Sequence, residues 1–345
     1  MGLDSGRVSL VGGCSVLHRI SSQICGIAWR RVRGWMVLLP CAFLALGASL
    51  EADVLVSRKA PQLSGGEIEG SVQVLRPQNT TLKGGLTMTG DLLVPGSPSV
   101  QLNGSPTYSG TIDGIGRASP SSHTITIRNH VTMGRVIRRS DPVAFPTAEE
   151  PDLPGGRRWV KLDHSSDDPG DFATIGRLVL KQGMTQAVPA GAYASFEAYG
   201  GSTFLFGTAG ATEPDVYHFN QVHLQGNSAI QILGPVEIRI RYCIDVWGSV
   251  GSSEHPEWLT LKLSHTGLDL NAGVVYGTVI APNGTVSVTN GCQLIGGLWA
   301  HRIVSNNGIL RCVGGETVNA LPNAASFEVA TLENTPLEIM LQGSD

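Results

Sequence analysis

Three acids sit close together in the run SSDDPGD: Asp167, Asp168 and Asp171. Two carboxylates facing one groove would serve glycoside hydrolysis, and a carboxylate set is also how proteins hold calcium. Pro169 and Gly170 stand within the same run, which makes a solvated turn the simpler reading. Arg239 and Arg241 alternate on one β-like run, where a base beside an acidic sugar would suit a lyase; outward charges on a wall explain the same pattern. Nine histidines form no HExxH or other close-spaced ligand set. His218 and His223 lie five apart and His301 stands at a corner, so each reads as a surface or cap residue. Trp247, Trp258 and Trp299 in one row would bind sugar rings, although Trp299 falls inside a repeat and reads as packed. No GxSxG, Walker-type loop or GxGxxG precedes a helix. The chain is therefore expected to be no enzyme, with no cofactor and no metal site.

Charge narrows the partners. The chain carries 24 Lys and Arg against 28 Asp and Glu. Five of the bases and two of the acids fall in residues 1–52, which leaves 19 against 26, near −7, for the remainder. An acidic body argues against nucleic acid or anionic lipid as the main partner, because phosphate recognition needs a basic surface. Six cysteines include no CxxC. Cys292 and Cys312 close successive repeats, so stacked strands about 4.8 Å apart would bring them within reach of a disulfide if the side chains converged. Two small buried thiols are the favoured reading.

The elements that must position these residues are strands. Gly is plentiful at 44 and only 15% of residues are charged, a balance suited to short strands and tight turns rather than helices. The clearest order lies in residues 274–312. Gly277 and Gly296 match at an offset of 19, as do Ala281 and Ala300, while VSVTNG (286–291) and IVSNNG (303–308) match at 17. A loop two residues shorter accounts for the difference. Self-similarity near 20 residues predicts stacked coils, each unable to bury its apolar face alone. Asn-Gly pairs tolerate positive φ at the corners. Asn227, Asn283, Asn290 and Asn307 are expected to form partial ladders inside the stack.

Taken in order, residues 1–52 read as a signal peptide or export segment. Arg30, Arg31 and Arg33 precede the uncharged run 35–50, and small residues follow at Ala48, Ser49 and Ala52. Membrane contact is expected only through this segment, if it is not cleaved. Residues 53–139 alternate β-rich runs such as LTMTGDLLV and HTITIRN with turn residues, and predict an N-terminal solenoid part. Thr87 with Thr89, and Thr124 with Thr126, are isolated pairs rather than the flat threonine array that ice binding would need. Residues 140–170 carry a Pro-rich, acid-rich loop or linker, which either divides two lobes or is an excursion from one solenoid. Residues 171–313 predict a C-terminal solenoid domain. There Val222, Leu224, Ile230, Ile232, Val236, Ile238 and Ile240 alternate as inward positions. Residues 314–345 predict an irregular tail or cap over the open end.

The succession YHFNQVHLQGNSAIQILGPVEI, WLTLKLS and VVYGTVIAPNGTVSVTNGCQLIGGLWAHRIVSNNGIL within 216–312 resembles a β-solenoid domain of unknown function in bacterial pilus-associated and choice-of-anchor A surface proteins. Tyr276, Gly277, Ala281, Pro282, Asn283 and Gly284 carry the likeness, with Asn290, Gly291, Gly296, Asn307 and Gly308 marking the repeat. The resemblance implies an exported surface protein and no catalytic residues. The expectation is an all-β fold, a right-handed parallel β-helix, serving as a non-catalytic structural or adhesive envelope protein. Envelope glycans or other surface proteins are the expected partners. A polysaccharide lyase or hydrolase, or a carbohydrate-binding module, is the alternative.

Overall fold

The computed structural model describes residues 54–119 and 122–313. Residues 1–52, expected to be a signal peptide or export segment, with Cys14, Cys25 and Cys41, and the tail 314–345 lie outside the described residues. Within them every strand pair is parallel, in one sheet of 18 strands and another of 11, so the chain folds as a β-solenoid of about a dozen turns. Alternation decides which side chains enter. In Val236–Val246, Val236, Ile238 and Ile240 are buried, while Glu237 and Arg239 point outward and Tyr242 is exposed. A fully buried aliphatic side chain contributes roughly 1.5–3 kcal/mol, and stacking lines these side chains into one continuous core.

The offsets read in the sequence are the registers of the structure. Strand Thr278–Thr289 pairs with Leu298–Asn306, with Ala281 opposite Ala300 and Val286 opposite Ile303; the register shifts between Ala281 and Thr285. That shift is the shortened loop. Gly296 has φ 142°, and a Cβ there would stand 2.2 Å from the Gly277 carbonyl oxygen, so only glycine lets these coils close.

The order of coils in space differs from their order in the chain. The stack starts at Arg158–Leu162 and climbs through Ile175–Leu180, Gly191–Ala198, Asp215–Leu224, Val236–Val246, Leu259–Leu263 and Thr278–Thr289 to Leu298–Asn306. The next layer is the first coil of the chain. Val54–Ser57 and Gln62–Ser64 both pair with Leu298–Asn306, and Glu67–Glu69 pairs with Ile309–Arg311. Gly66 seals this joint, because a Cβ at its φ of 77° would lie 2.1 Å from the Gly308 carbonyl oxygen. The upper edge of the last coil is therefore covered by residues 54–69, and the expected tail or cap 314–345 lies outside the described residues.

Beyond the joint the stack continues through Ser71–Val74 and Thr80–Lys83. It ends in an interleaved pair of layers, where Thr124–Arg128 inserts between Thr80–Lys83 and Ser99–Asn103. The N-terminal and C-terminal solenoid segments thus share one continuous stack.

Residues 139–157 make this order possible. They lead from Val136–Arg138 at one end of the stack to Arg158–Leu162 at the other, eleven parallel steps away along one wall. At about 4.8 Å per step the distance is roughly 53 Å, within the ~63 Å that an extended chain of this length reaches at ~3.3 Å per residue. The segment is a strap held along its course. Gln73 Nε2 donates to the Ser140 hydroxyl and the Asp141 carbonyl. Phe145 meets Trp299 edge-on at 5.7 Å and lies under the Arg58 guanidinium. Glu149 pairs with Arg239 at 2.7 Å, Glu150 with Arg241 and His265, and the Asp152 amide donates to His218 Nδ1 at 2.8 Å. The stretch 140–170 is not loop throughout, since Arg158–Leu162 is the lowest strand of the stack.

His218 gives the strap a pH dependence. Burial pushes its imidazole below its ordinary pKa, with Asp152 opposing and Arg239 adding to the fall. The folded form keeps His218 neutral and accepting, whereas the released form takes a proton near pH 6.5. A lowered folded pKa means stability that is present above about pH 6.5 and lost as pH falls through the folded value. Thermal unfolding followed from about pH 7.5 to pH 5.5 should show that loss, and a His218→Asn variant should flatten it.

Candidate functional site

At the joint of first and last coils the wall opens into a groove of about 770 Å³. Its floor combines Gln62, Ser64, Thr81 and Asn79 from the first two coils with Val304 and Asn306 from the last. Lys83, Arg128 and Arg302 line it, and among the described residues no carboxylate does. Arg58, Lys59, Arg76 and His301 gather around the adjoining corner. Lys59 N and Arg58 N donate to the His301 and Ala300 carbonyls. His301 is held below its usual pKa first by burial and then by Lys59, Arg58, Arg76 and Arg302. The Arg302 Nε is buried with no hydrogen-bond partner.

Many cations elsewhere on the stack are paired, although Arg117, Arg157, Arg158 and Lys181 also form no salt bridge among the described residues. Arg135 pairs with Asp91 at 2.8 Å, Arg177 with Glu197 at 2.7 Å, and Lys262 and Arg239 with Glu237. Among the described residues, Arg58, Lys59, Arg76, Lys83, Arg128 and Arg302 form no salt bridge. Bases crowded without counter-charges raise a local positive potential on an otherwise acidic body. Side chains from positions 58–83, 128 and 301–302 meet only because the first coil stacks on the last, and the sequence reading missed them. The signal available was the doublets Arg58-Lys59 and His301-Arg302, neither of which has an acid within four positions.

The residues singled out from sequence take other places. Asp167 accepts from the Asp163 and His164 amides, which hold its carboxyl below the ordinary range. Asp168 accepts from Gly170 N, and Asp171 caps the short 3₁₀ turn Phe172–Thr174 through Ala173 N. All three carboxylates shape turns. Arg239 and Arg241 hold the strap. Trp299 packs against Phe145, Trp258 stacks on His255 at 3.9 Å, and Trp247 is exposed on another coil, so the three form no row.

In the repeat motif, Tyr276 is half-buried, Ala281, Pro282 and Gly284 are buried, and Asn283 Nδ2 donates to the Ser264 carbonyl at 3.0 Å. Gly277 lies opposite Gly296 where the coils close. The asparagine ladders expected inside the stack are corrected. Asn227, Asn290 and Asn307 are exposed corner residues at φ 54–60°, with Gly291 and Gly308 following the last two. Asparagine tolerates the left-handed region because its side chain bonds locally.

The Cys292–Cys312 staple is corrected as well. Cys292 is a free thiol. Gln293 pairs with Ile309 and Ile295 with Arg311. That offset of 16 sets Cys292 beside Gly308 and Cys312 beside Gly296, about 13 Å apart along the strands at ~3.3 Å per residue. Both side chains are buried. The threonine pairs gain partners that the sequence did not suggest, since Thr87, Thr132 and Thr107 stack in one column. The column ends at Glu67 and Ile309 on the next coils.

A second cluster lies lower on the same wall. His223 Nδ1 is 2.7 Å from Asp245 Oδ2, and Cys243 Sγ is 3.7 Å from Asp245 Oδ1.

No family model matches the chain, and no curated protein matches it. A solved structure described as the crystal structure of ice binding protein from an Antarctic bacterium Flavobacteriaceae aligns at 13% identity and a TM-score of 0.19, over 76% of this chain and 81% of that one.

Proposed function

We propose that the protein is an exported, non-catalytic binding protein of the cell envelope, whose groove at the joint of first and last coils holds an acidic polysaccharide. The observation that carries this reading is the set of six unpaired bases beside a groove that no carboxylate lines. A polyanion threaded over Arg302, Lys83 and Arg128 supplies the missing counter-charges, while Gln62, Asn79, Thr81 and Asn306 offer hydrogen bonds to hydroxyls. The basic residues at 30–33 ahead of the apolar run 35–50 support export. So does the resemblance of residues 216–312 to choice-of-anchor A surface proteins. The roles of Asp167, Asp168 and Asp171 in turns support binding without turnover.

The test is a panel of insoluble acidic and neutral polysaccharides incubated with the purified protein, scoring retained protein and released sugar. Retention on the acidic members without release is the expected result. Release that grows with time would overturn the non-catalytic reading, and equal retention on neutral members would overturn the electrostatic one.

A further inference from the structure

His223, Cys243 and Asp245 are not explained by the groove. They come from two adjacent coils, Asp215–Leu224 and Val236–Val246, with His223 directly opposite Asp245 and Cys243 two positions before it. Strand alternation turns all three outward, each partly exposed. One ligand atom from each lies within 4.8 Å of the others. Ligand atoms around a tetrahedral zinc ion, at ~2.0–2.3 Å from the metal, stand roughly 3.3–3.8 Å apart. Small side-chain rotations therefore bring the set onto one centre, the ion taking the place of the hydrogen bond between His223 and Asp245. Asp269 follows Asp245 in register on the next coil.

We propose that His223, Cys243 and Asp245 form a zinc site that clips two neighbouring coils and leaves a fourth position open to water or to Asp269. A thiolate beside an imidazole selects a borderline ion such as Zn²⁺ over Ca²⁺ or Mg²⁺, which take oxygen ligands. On binding, the metal–sulfur bond forms and the Cys243 thiol proton passes to solvent. The imidazole binds neutral and the carboxylate ionised. Because the ligands belong to different coils, the ion holds the folded wall and raises its stability by mass action.

The test uses the full chain kept reduced. Zn²⁺ binding is measured by competition with a chromophoric chelator, and Co²⁺ is added separately to read the thiolate-to-cobalt charge-transfer absorption. The expected result is a zinc equivalent and a charge-transfer band that are both lost in Cys243→Ser, with zinc affinity falling at least tenfold in His223→Ala. The metal-free melting temperatures of the variants should match that of the parent, since the three side chains lie outside the core. Comparison with Cys243→Ser removes any contribution from Cys14, Cys25 or Cys41. No zinc uptake by the parent, or uptake and a band unchanged in both variants, would overturn the proposal.

Discussion

Replacing Lys83, Arg128 and Arg302 together by serine should lower affinity for acidic polysaccharide by about ten- to a hundredfold and leave the melting temperature unchanged. An exposed ion pair contributes about 0.2–1 kcal/mol. Three lost pairs therefore amount to roughly 1–3 kcal/mol, and each 1.4 kcal/mol is tenfold. Stability should not suffer, because these side chains form no ion pair among the described residues. Raising salt should weaken binding to the parent far more than to the triple variant, as charges separated by more than about 8 Å are screened at physiological ionic strength. Arg135 is the control: it is already paired with Asp91 at 2.8 Å, so Arg135→Ser should leave binding as it is. Binding titrations across a salt series check both statements.

A Phe219→Ala substitution should destabilise the protein by about 3–5 kcal/mol. Phe219 is 1% exposed and touches Tyr193, Phe196 and Phe206 with ring centroids 4.9–5.8 Å apart. Phe206 in turn stacks on Tyr217 at 4.3 Å. This aromatic group fills the coils between Tyr193 and Phe219, where elsewhere the core is mostly Val, Leu and Ile. Removing a central ring leaves a cavity that rigid parallel coils on both sides cannot collapse. Against a total stability of ~5–15 kcal/mol for a typical protein, the loss should lower the melting temperature by roughly 10 °C. Phe219→Leu should cost less. Thermal unfolding of both variants reads the difference; equal melting temperatures for Phe219→Ala and the parent would contradict the packing described.

The fold was legible where neighbouring coils in the chain are also neighbours in space. The matches Ala281 with Ala300 and Val286 with Ile303 are real registers because a coil and its successor repeat the same corners. The 11-stranded sheet, where Gln293–Ile295 pairs with Ile309–Arg311, was harder to read. The offset from Gln293–Ile295 to Ile309–Arg311 is 16 rather than 19 or 17, which sets Cys292 and Cys312 apart along the strands and agrees with the favoured reading of two small buried side chains. What could not be read was the seating of Val54–Ser57 and Gln62–Ser64 onto Leu298–Asn306. A parallel joint between coils uses generic backbone hydrogen bonds and apolar layers, so nothing local in VLVS or LWAHRIVSN says which coil is the partner. The strap shows the same limit. Glu149 and Glu150 in a Pro-rich run look like solvated charges until Arg239 and Arg241, some 90 positions later, are found beneath them. The groove was invisible for the same reason, since its bases are contributed by both sides of the joint.

The proposed binding site is assembled where the first coil stacks on the last. Hydrogen–deuterium exchange with and without an acidic polysaccharide tests it most directly, because it reads protection segment by segment. The predicted result is added protection in 58–64, 81–83, 126–128 and 301–306 together, absent when a neutral polysaccharide is substituted. Protection confined to one side of the joint, or found only on distant coils such as 221–247, would contradict the claim.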